Sequence, residues 1–240
     1  MCRSNQQMGK KKYLCPFCKN YIKQFCSTGL DSQVFYDQKV VGAGNRLALC
    51  PYCHSNDRER LLYIYLKNHT KIFDQNIKLL HLAPEKNLTV LFSNNKNIIY
   101  VTADLNLKSV MINLDINRLP FKSNFFDVII CNHVLEHIID DKKAIAELYR
   151  VLHPNGWSIL QVPISYKLNK TYEDISIKRE KDRKIAFGQK DHVRIYGADY
   201  VTRLKNVGFS VDEFTWTTNN EHVYFKYGLN TDERIYIAKK

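Results

Sequence analysis

A chain of 240 residues can bury a sizeable core but is short for two full-sized domains, so one main domain with a small appendage is the expected organisation. Hydrophobic residues at 45% and charged residues at 25%, without a low-complexity tract or internal repeat, exclude a disordered or fibrous chain. The net charge of +12 favours polyanionic partners such as RNA, nucleotide-linked substrates or anionic membrane surfaces, although lysines spread along the whole chain equally suit simple solvation.

The opening residues, MCRSNQQMGKKK, lack the apolar stretch of a signal peptide, and no apolar run approaches the roughly 20 residues of a membrane helix, so a cytoplasmic chain without a membrane span is expected. In that compartment, metal binding or burial has to account for the seven cysteines. Cys15-Pro16-Phe17-Cys18 and Cys50-Pro51-Tyr52-Cys53 are matched CxxC turns, and four thiolates complete a closed tetrahedral zinc site. The 31 residues between the turns require a hairpin or longer loop to bring them together. Redox-active or merely buried thiols are the alternative; Cys26 is spare and Cys2 incidental. Gly42-Ala43-Gly44 lacks the strand before and helix after that a phosphate-binding turn needs, and reads as a hairpin turn.

The segment SNDRERLLYIYLKN reads as a helix, with Asn56 and Glu59 forming a capping box and Leu61, Leu62, Tyr65 and Leu66 sharing a face. Arg58 and Arg60 are expected as surface charges or substrate contacts. The organisation is therefore a module with linking helix over 1–70 and a main domain over 71–240.

From Ile77 onward apolar strands alternate with helices: strands at Ile77–Leu82, Ile98–Ala103, Val110–Leu114, Phe126–Cys131 and Trp157–Val162, and a helix at Asp140–Leu152 stopped by Pro154 and Gly156. A helix around Asp199–Asn206 and strands near Phe209–Phe214 and Arg234–Ala238 complete the count. The fold class is α/β: a Rossmann-like, seven-stranded, mostly parallel sheet with helices on both faces, plus a small zinc-ribbon-like N-terminal module. Ligands of such sheets sit beyond the carboxyl ends of the strands. There Asp104 can accept both hydroxyls of a ribose, and Asp115 can face an adenine amino group while the Ile116 amide meets the ring.

The runs LPFKSNFFDVIICNHVLEHI and ELYRVLHPNGWSILQVP resemble the class I S-adenosylmethionine-dependent methyltransferases, in the group of the ubiquinone-biosynthesis C-methyltransferases. CPYCHSNDRERLL, LLHLAPEKNL, YVTADLN and FGQKDHVRIYG, with both CxxC pairs, resemble a bacterial subgroup carrying an N-terminal zinc knuckle. The resemblance implies S-adenosylmethionine as cofactor, with Asp104 and Leu105 at the ribose, Asp115 and Ile116 at the adenine, and Asn132 and His133 near the methionine moiety. At strand one the likeness breaks: His81 stands where the family has an acid, and Ala83 and Glu85 stand where it has glycines, so backbone approach to the cofactor must differ.

Residues 164–196 are too long for a simple connection and read as a substrate lid. His192 is the candidate general base, oriented by Asp191, with Arg194 holding an anionic substrate group; the alternative is that Asp191–Arg194 anchor the lid by hydrogen bonds. His137, Tyr172 and Tyr196 are expected to face substrate. His133 and His137 lack a third metal donor nearby in the chain, and Cys131 reads as a core strand residue. The expected reaction is methyl transfer, by O-methylation, to a small-molecule, sugar or glycan acceptor. The rivals are an RNA methyltransferase, disfavoured by the absence of the Pro-Pro-aromatic run after Asn132, and a non-catalytic zinc-containing binding protein.

Overall fold

The computed structural model describes residues 12–215 and 221–240; Cys2 and most of the opening segment lie outside them. Three short hairpin strands open the chain, β1 (Tyr13–Leu14), β2 (Tyr21–Ile22) and β3 (Cys26–Thr28), then α1 (Gln33–Asp37), β4 (Arg46–Leu49) and α2 (Asp57–His69). Next come β5 (Ile77–Leu82), α3 (Lys86–Ser93), β6 (Ile98–Asp104), β7 (Ile112–Asn113), β8 (Phe126–Asn132) and a 3-10 turn at Leu135–His137. The chain continues through α4 (Asp141–Val151), β9 (Leu152–Gln161), β10 (Tyr172–Glu173), α5 (Glu180–Phe187), β11 (Arg194–Ile195), α6 (Tyr200–Val207), β12 (Ser210–Phe214), α7 (Glu221–Tyr227) and β13 (Ile235–Lys239).

Seven strands form the central sheet in the order β12-β13-β9-β8-β5-β6-β7, with only β13 antiparallel to its neighbours. Successive strand residues face opposite sides, so Leu80, Leu82, Ile129 and Cys131 meet α4 and α6, while Leu79, Val128 and Ile130 meet α2 and α3. Each such side chain contributes about 1.5–3 kcal/mol through burial. Both faces are thus closed by helices, and Cys131 is a core residue as expected. Strand three is shorter than predicted because the approach to it bonds elsewhere: the Met111 amide donates to Thr102 Oγ1 and Asn113 Nδ2 to the Asp104 carbonyl. Strand five starts earlier, since the backbone around Asn155 and Gly156 pairs with Lys240.

The linking helix is an integral part of the sheet packing. Asn56 Oδ1 accepts the Glu59 amide at 2.8 Å as the capping box requires, but the Glu59 carboxylate turns away to accept the amides of Asn87 and Leu88 at 2.9 and 3.3 Å, capping α3 from outside. Arg60 is not a surface charge. It is fully buried, donating to the carbonyls of Ala48, Ser55, Tyr227 and Gly228 and stacking on Phe25. Gly42 and Gly44, both at φ 82°, turn the chain between α1 and β4, where a hairpin turn was expected; the long β3–β4 connection contains α1 and is no tight hairpin. The adjoining Val41 exchanges two backbone hydrogen bonds with Ile164, and Phe35 and Val40 pack against Phe187 and Ile195, so the module holds the segment after β9.

Candidate functional site

Asp104 ends β6 in register with Asn113 of β7, and Asp115 follows two residues beyond that strand end. Asp104 Oδ1 accepts the amides of Asn106 and Leu107, both at 2.8 Å, which fixes the loop bearing the exposed Leu105. Asp115 Oδ1 accepts the Asn117 amide at 2.8 Å, with Ile116 buried beside it.

At the end of β5 the unusual residues form a connected group. Buried His81 takes Tyr100 Oη at Nδ1 and Glu85 at Nε2, at 2.9 and 2.7 Å. The second Glu85 oxygen accepts Asn132 Nδ2 at 2.9 Å, so strands β5 and β8 are tied through one carboxylate. Burial pushes that carboxyl up, and its bonds to His81 and Asn132 outweigh this and hold it low. Ala83 adopts φ 47°. The left-handed backbone that a glycine supplies in this turn is therefore retained by alanine, at a cost of about 1–2 kcal/mol.

Beyond β8, His133 sits at φ 53° with Nδ1 3.3 Å from Glu136. Burial and the Arg58 charge push its ring down to about 4, so it is neutral at physiological pH. Glu136 is buried; burial opposes its ionisation, yet the bond from His133 and the neighbouring rings of His137 and His192 hold it at about 2. His137 Nδ1 lies 3.3 Å from Asp191 and its ring packs edge-on to His192 at 4.7 Å. Burial lowers the buried His192, with the Glu136 charge opposing.

Among the described residues, five buried side-chain polar atoms have no hydrogen-bond partner: Asn117 Oδ1, Asn132 Oδ1, His133 Nε2, Glu136 Oε2 and Glu233 Oε2. All five belong to one edge of the sheet. Asn117 follows β7, Asn132 ends β8, His133 and Glu136 follow it, and Glu233 precedes antiparallel β13, whose amino end lies at the carboxyl ends of the others. Orphaned buried groups cost about 1–3 kcal/mol each, so a row of them along one end of the strands is a candidate place for a ligand. A surface cavity at the opposite edge, among Lys71, Asp127, His153 and Trp157, includes none of these residues.

The family description "Methyltransferase domain" matches residues 77–160, the stretch from β5 to β9 that carries this edge. A ubiquinone/menaquinone biosynthesis C-methyltransferase of Francisella tularensis is 40% identical over 63 residues, a match covering 25% of each chain. An uncharacterized protein of Methanocaldococcus jannaschii is 40% identical over 72 residues, 28% of this chain and 32% of that one. Such matches span about a quarter to a third of the length of these relatives. In structure, the 4+2 cyclase SpnF aligns with a TM-score of 0.53 at 15% identity, over 75% of this chain and 80% of that one, which shows a shared fold. Residues 77–160 are thus similar to a methyltransferase domain, over about a third of the chain.

The segment over residues 164–196 differs from expectation in its side chains. Asp191 contacts His137, where it was expected to orient His192. Arg194 is buried and donates to Glu173 at 2.9 Å and to the carbonyls of Leu135, Ile138 and Ile139. Tyr196 is buried, with its hydroxyl on Asp141 at 2.8 Å. Both residues therefore brace the turn after β8 instead of facing a substrate, the anchoring alternative for this segment. Tyr172 is 44% exposed and packs on Phe187. Sequence reasoning assigned no role to Glu233, whose carboxyl burial pushes up to about 7, with nearby Asp57 adding to the rise and Arg58 and Arg46 opposing it. A side chain added at Gly42 would meet both Glu233 and His133, so the module reaches this edge directly.

The four predicted cysteines are gathered into one cluster. Sulfur separations are 3.5 Å for Cys15 and Cys53 and 3.8 Å for Cys18 and Cys50, and all four lie within 4.8 Å of one another. The two turns repeat each other: Lys19 and His54 adopt φ 57° and 59°, and their amides bond the carbonyls of Cys15 and Cys50 at 3.0 Å. The Cys15 thiol falls to about 4 because Cys50, Ser55 and the amides of Cys18 and Phe17 bond its sulfur, burial notwithstanding.

Proposed function

We propose that the whole chain is an S-adenosylmethionine-dependent methyltransferase that methylates an oxygen of a small-molecule, sugar or glycan acceptor. The observation that carries this reading is the set of unpartnered buried polar atoms on Asn117, Asn132, His133, Glu136 and Glu233, spread along the carboxyl ends of the strands where such sheets take their ligands. S-adenosylmethionine supplies an electrophilic methyl group on a sulfonium. Asp104 would hold the ribose, with Leu105 beside it, and Asp115, Ile116 and Asn117 the adenine. Ala83 keeps the turn open to the methionine moiety, and Glu85 takes over the acid that the family carries four residues earlier, offering negative charge to the ammonium group. Asn132 orients that carboxylate.

His133 is the better-placed base than His192. Its Nδ1 faces Glu136, which selects the tautomer with Nδ1 protonated and leaves Nε2 as an acceptor. Nε2 would accept the proton of the acceptor hydroxyl, whose oxygen takes the methyl carbon as the carbon–sulfur bond breaks and leaves its electron pair on sulfur, while Glu136 steadies the charged ring. Alignment of acceptor and methyl would provide the rest of the rate.

The cysteine cluster fits structural zinc. Bonds of about 2.3 Å from zinc to each sulfur set tetrahedral edges of about 3.8 Å, close to the separations of 3.5 and 3.8 Å. Buried Arg60 supplies a counter-charge, since it interacts electrostatically with Cys15, Cys50 and Cys53 while its hydrogen bonds go to carbonyls. The test of the enzyme reading is calorimetric titration of zinc-replete protein with S-adenosylmethionine. Saturable binding weakened at least about tenfold by Asp104→Ala and by Asp115→Ala is expected, each acid giving charged hydrogen bonds of about 1.5–3 kcal/mol. No saturable binding by the folded unmodified chain would overturn it.

A further inference from the structure

Glu136, His137 and His192 bring one carboxylate oxygen and two imidazole nitrogens within 4.8 Å of one another. Sequence spacing gave His137 no third donor; the lid provides it, by folding His192 back against the 3-10 turn. The donor set of two histidines and a carboxylate is that of open zinc and non-haem iron(II) centres.

We propose that this group binds a divalent first-row transition metal ion, separate from the cysteine site. Three independent features support it. The first is separation: His137 Nε2 stands 4.0 Å from Glu136 Oε1, too long for a hydrogen bond and within the span of two bonds of about 2.0–2.2 Å to a shared ion. Second, Glu136 is 1% exposed and its Oε2 has no partner, so the carboxylate retains a buried lone pair that its contact with His133 does not use. Third, the other nitrogen of the His137 imidazole is already engaged: Nδ1 faces Asp191 at 3.3 Å. Partners of this kind fix the tautomer and aim of metal-ligating histidines. They also give the exposed Asp191 a reason to be where it is.

The site is open on one side, where the His137 side chain is 31% exposed, and it adjoins His133 through Glu136. A metal there has coordination positions left for an oxygen ligand, so the acceptor class it selects is one with a hydroxyl or carboxylate able to coordinate. That use rests on the methyltransferase reading; occupancy of the site does not.

The test is the metal content of the full chain, saturated with zinc, or anaerobically with iron(II), and then desalted. Two equivalents are expected in the unmodified protein and one in His137→Ala/His192→Ala, with the thiolate-to-cobalt charge-transfer band of the cobalt-loaded protein retained in the variant. Asp191→Asn, a change at a side chain 58% exposed, should weaken the second equivalent about tenfold or more and leave the first untouched. A single equivalent in the unmodified protein under both metals, two equivalents persisting in the double variant, or an unaltered second affinity in Asp191→Asn if the double variant does not fold, would each overturn the proposal. Titration of the same samples with S-adenosylmethionine keeps the two readings apart. Cofactor binding without a second metal sinks this site alone, and a second metal without cofactor binding sinks only the enzyme reading.

Discussion

The cysteine cluster and the cluster after β8 hold their donors in opposite ways. Around Cys15 and Cys50 the donors come from two short turns, backbone amides point at sulfur, and Arg60 lies buried alongside. Around Glu136 the donors come from one turn and a distant lid, side chains hold side chains, and one histidine remains partly exposed. The first arrangement is closed and self-supporting. The second is steadied by the surrounding fold and keeps an entrance, so loss of the first should cost structure and loss of the second should cost chemistry.

Perturbing each cluster tests that contrast. Cys50→Ser should remove a zinc equivalent and destabilise the chain by more than about 4 kcal/mol, the range reached when a structural metal is lost; a thermal shift no larger than that of His137→Ala would erase the distinction. Arg60→Met removes the counter-charge and takes a donor from four carbonyls. A loss of about 3–5 kcal/mol is expected by analogy with a broken buried pair, together with faster zinc release to a chelator.

Glu233 lies where the two halves of the comparison meet, beside the Gly42 loop and His133. Its carboxyl rises to about 7 in the folded chain, so the native state binds the extra proton and stability falls as pH rises from about 4.5 to about 7. The loss amounts to up to about 3 kcal/mol. His133, held at about 4, acts in the opposite sense, its contribution being lost as pH falls from about 6.5 to 4. Denaturant unfolding of Glu233→Gln against the unmodified chain separates them: the variant should lack the fall while keeping the His133 term. Parallel curves would mean that Glu233 is ionised throughout. The smallest effect belongs to Ala83→Gly. Relief of the left-handed strain is partly offset by unfolded-chain entropy, so a gain of up to about 1 kcal/mol without weakened cofactor binding is expected from denaturant midpoints.

Patterns local in sequence were legible, and those closed by distant contacts were not. Alternation of apolar strands and helices is a local signal, as is the doubled CPxC turn, and both found their counterparts in the sheet and the cysteine cluster. The acids at strand ends could be placed because strand termini follow from where the apolar runs stop. By contrast, Glu59 follows the pattern of a capping box on its own helix yet caps the next one. Arg60 becomes buried because Phe25, the carbonyls of Ala48 and Ser55 and the end of α7 close around it, contacts that no helical projection shows. His192 could not be matched to His137 by spacing, since the lid's path decides their meeting. Arg194 and Tyr196 stand near the same motif but point into the turn after β8, a difference of side-chain direction that the string DHVRIY does not carry.

Glycine at 188 has a consequence for how separable the parts of this chain are. It adopts φ 88°, and a side chain there would fall 2.2 Å from the Phe35 ring. α5, which ends at this glycine, is therefore seated on the N-terminal segment, just as α3 is capped by Glu59 and Ile164 is paired with Val41. A chain cut free at residue 70 would lose all three supports at once, and the N-terminal segment of a relative could not be exchanged for this one unless its own counterpart of residues 164–188 came with it.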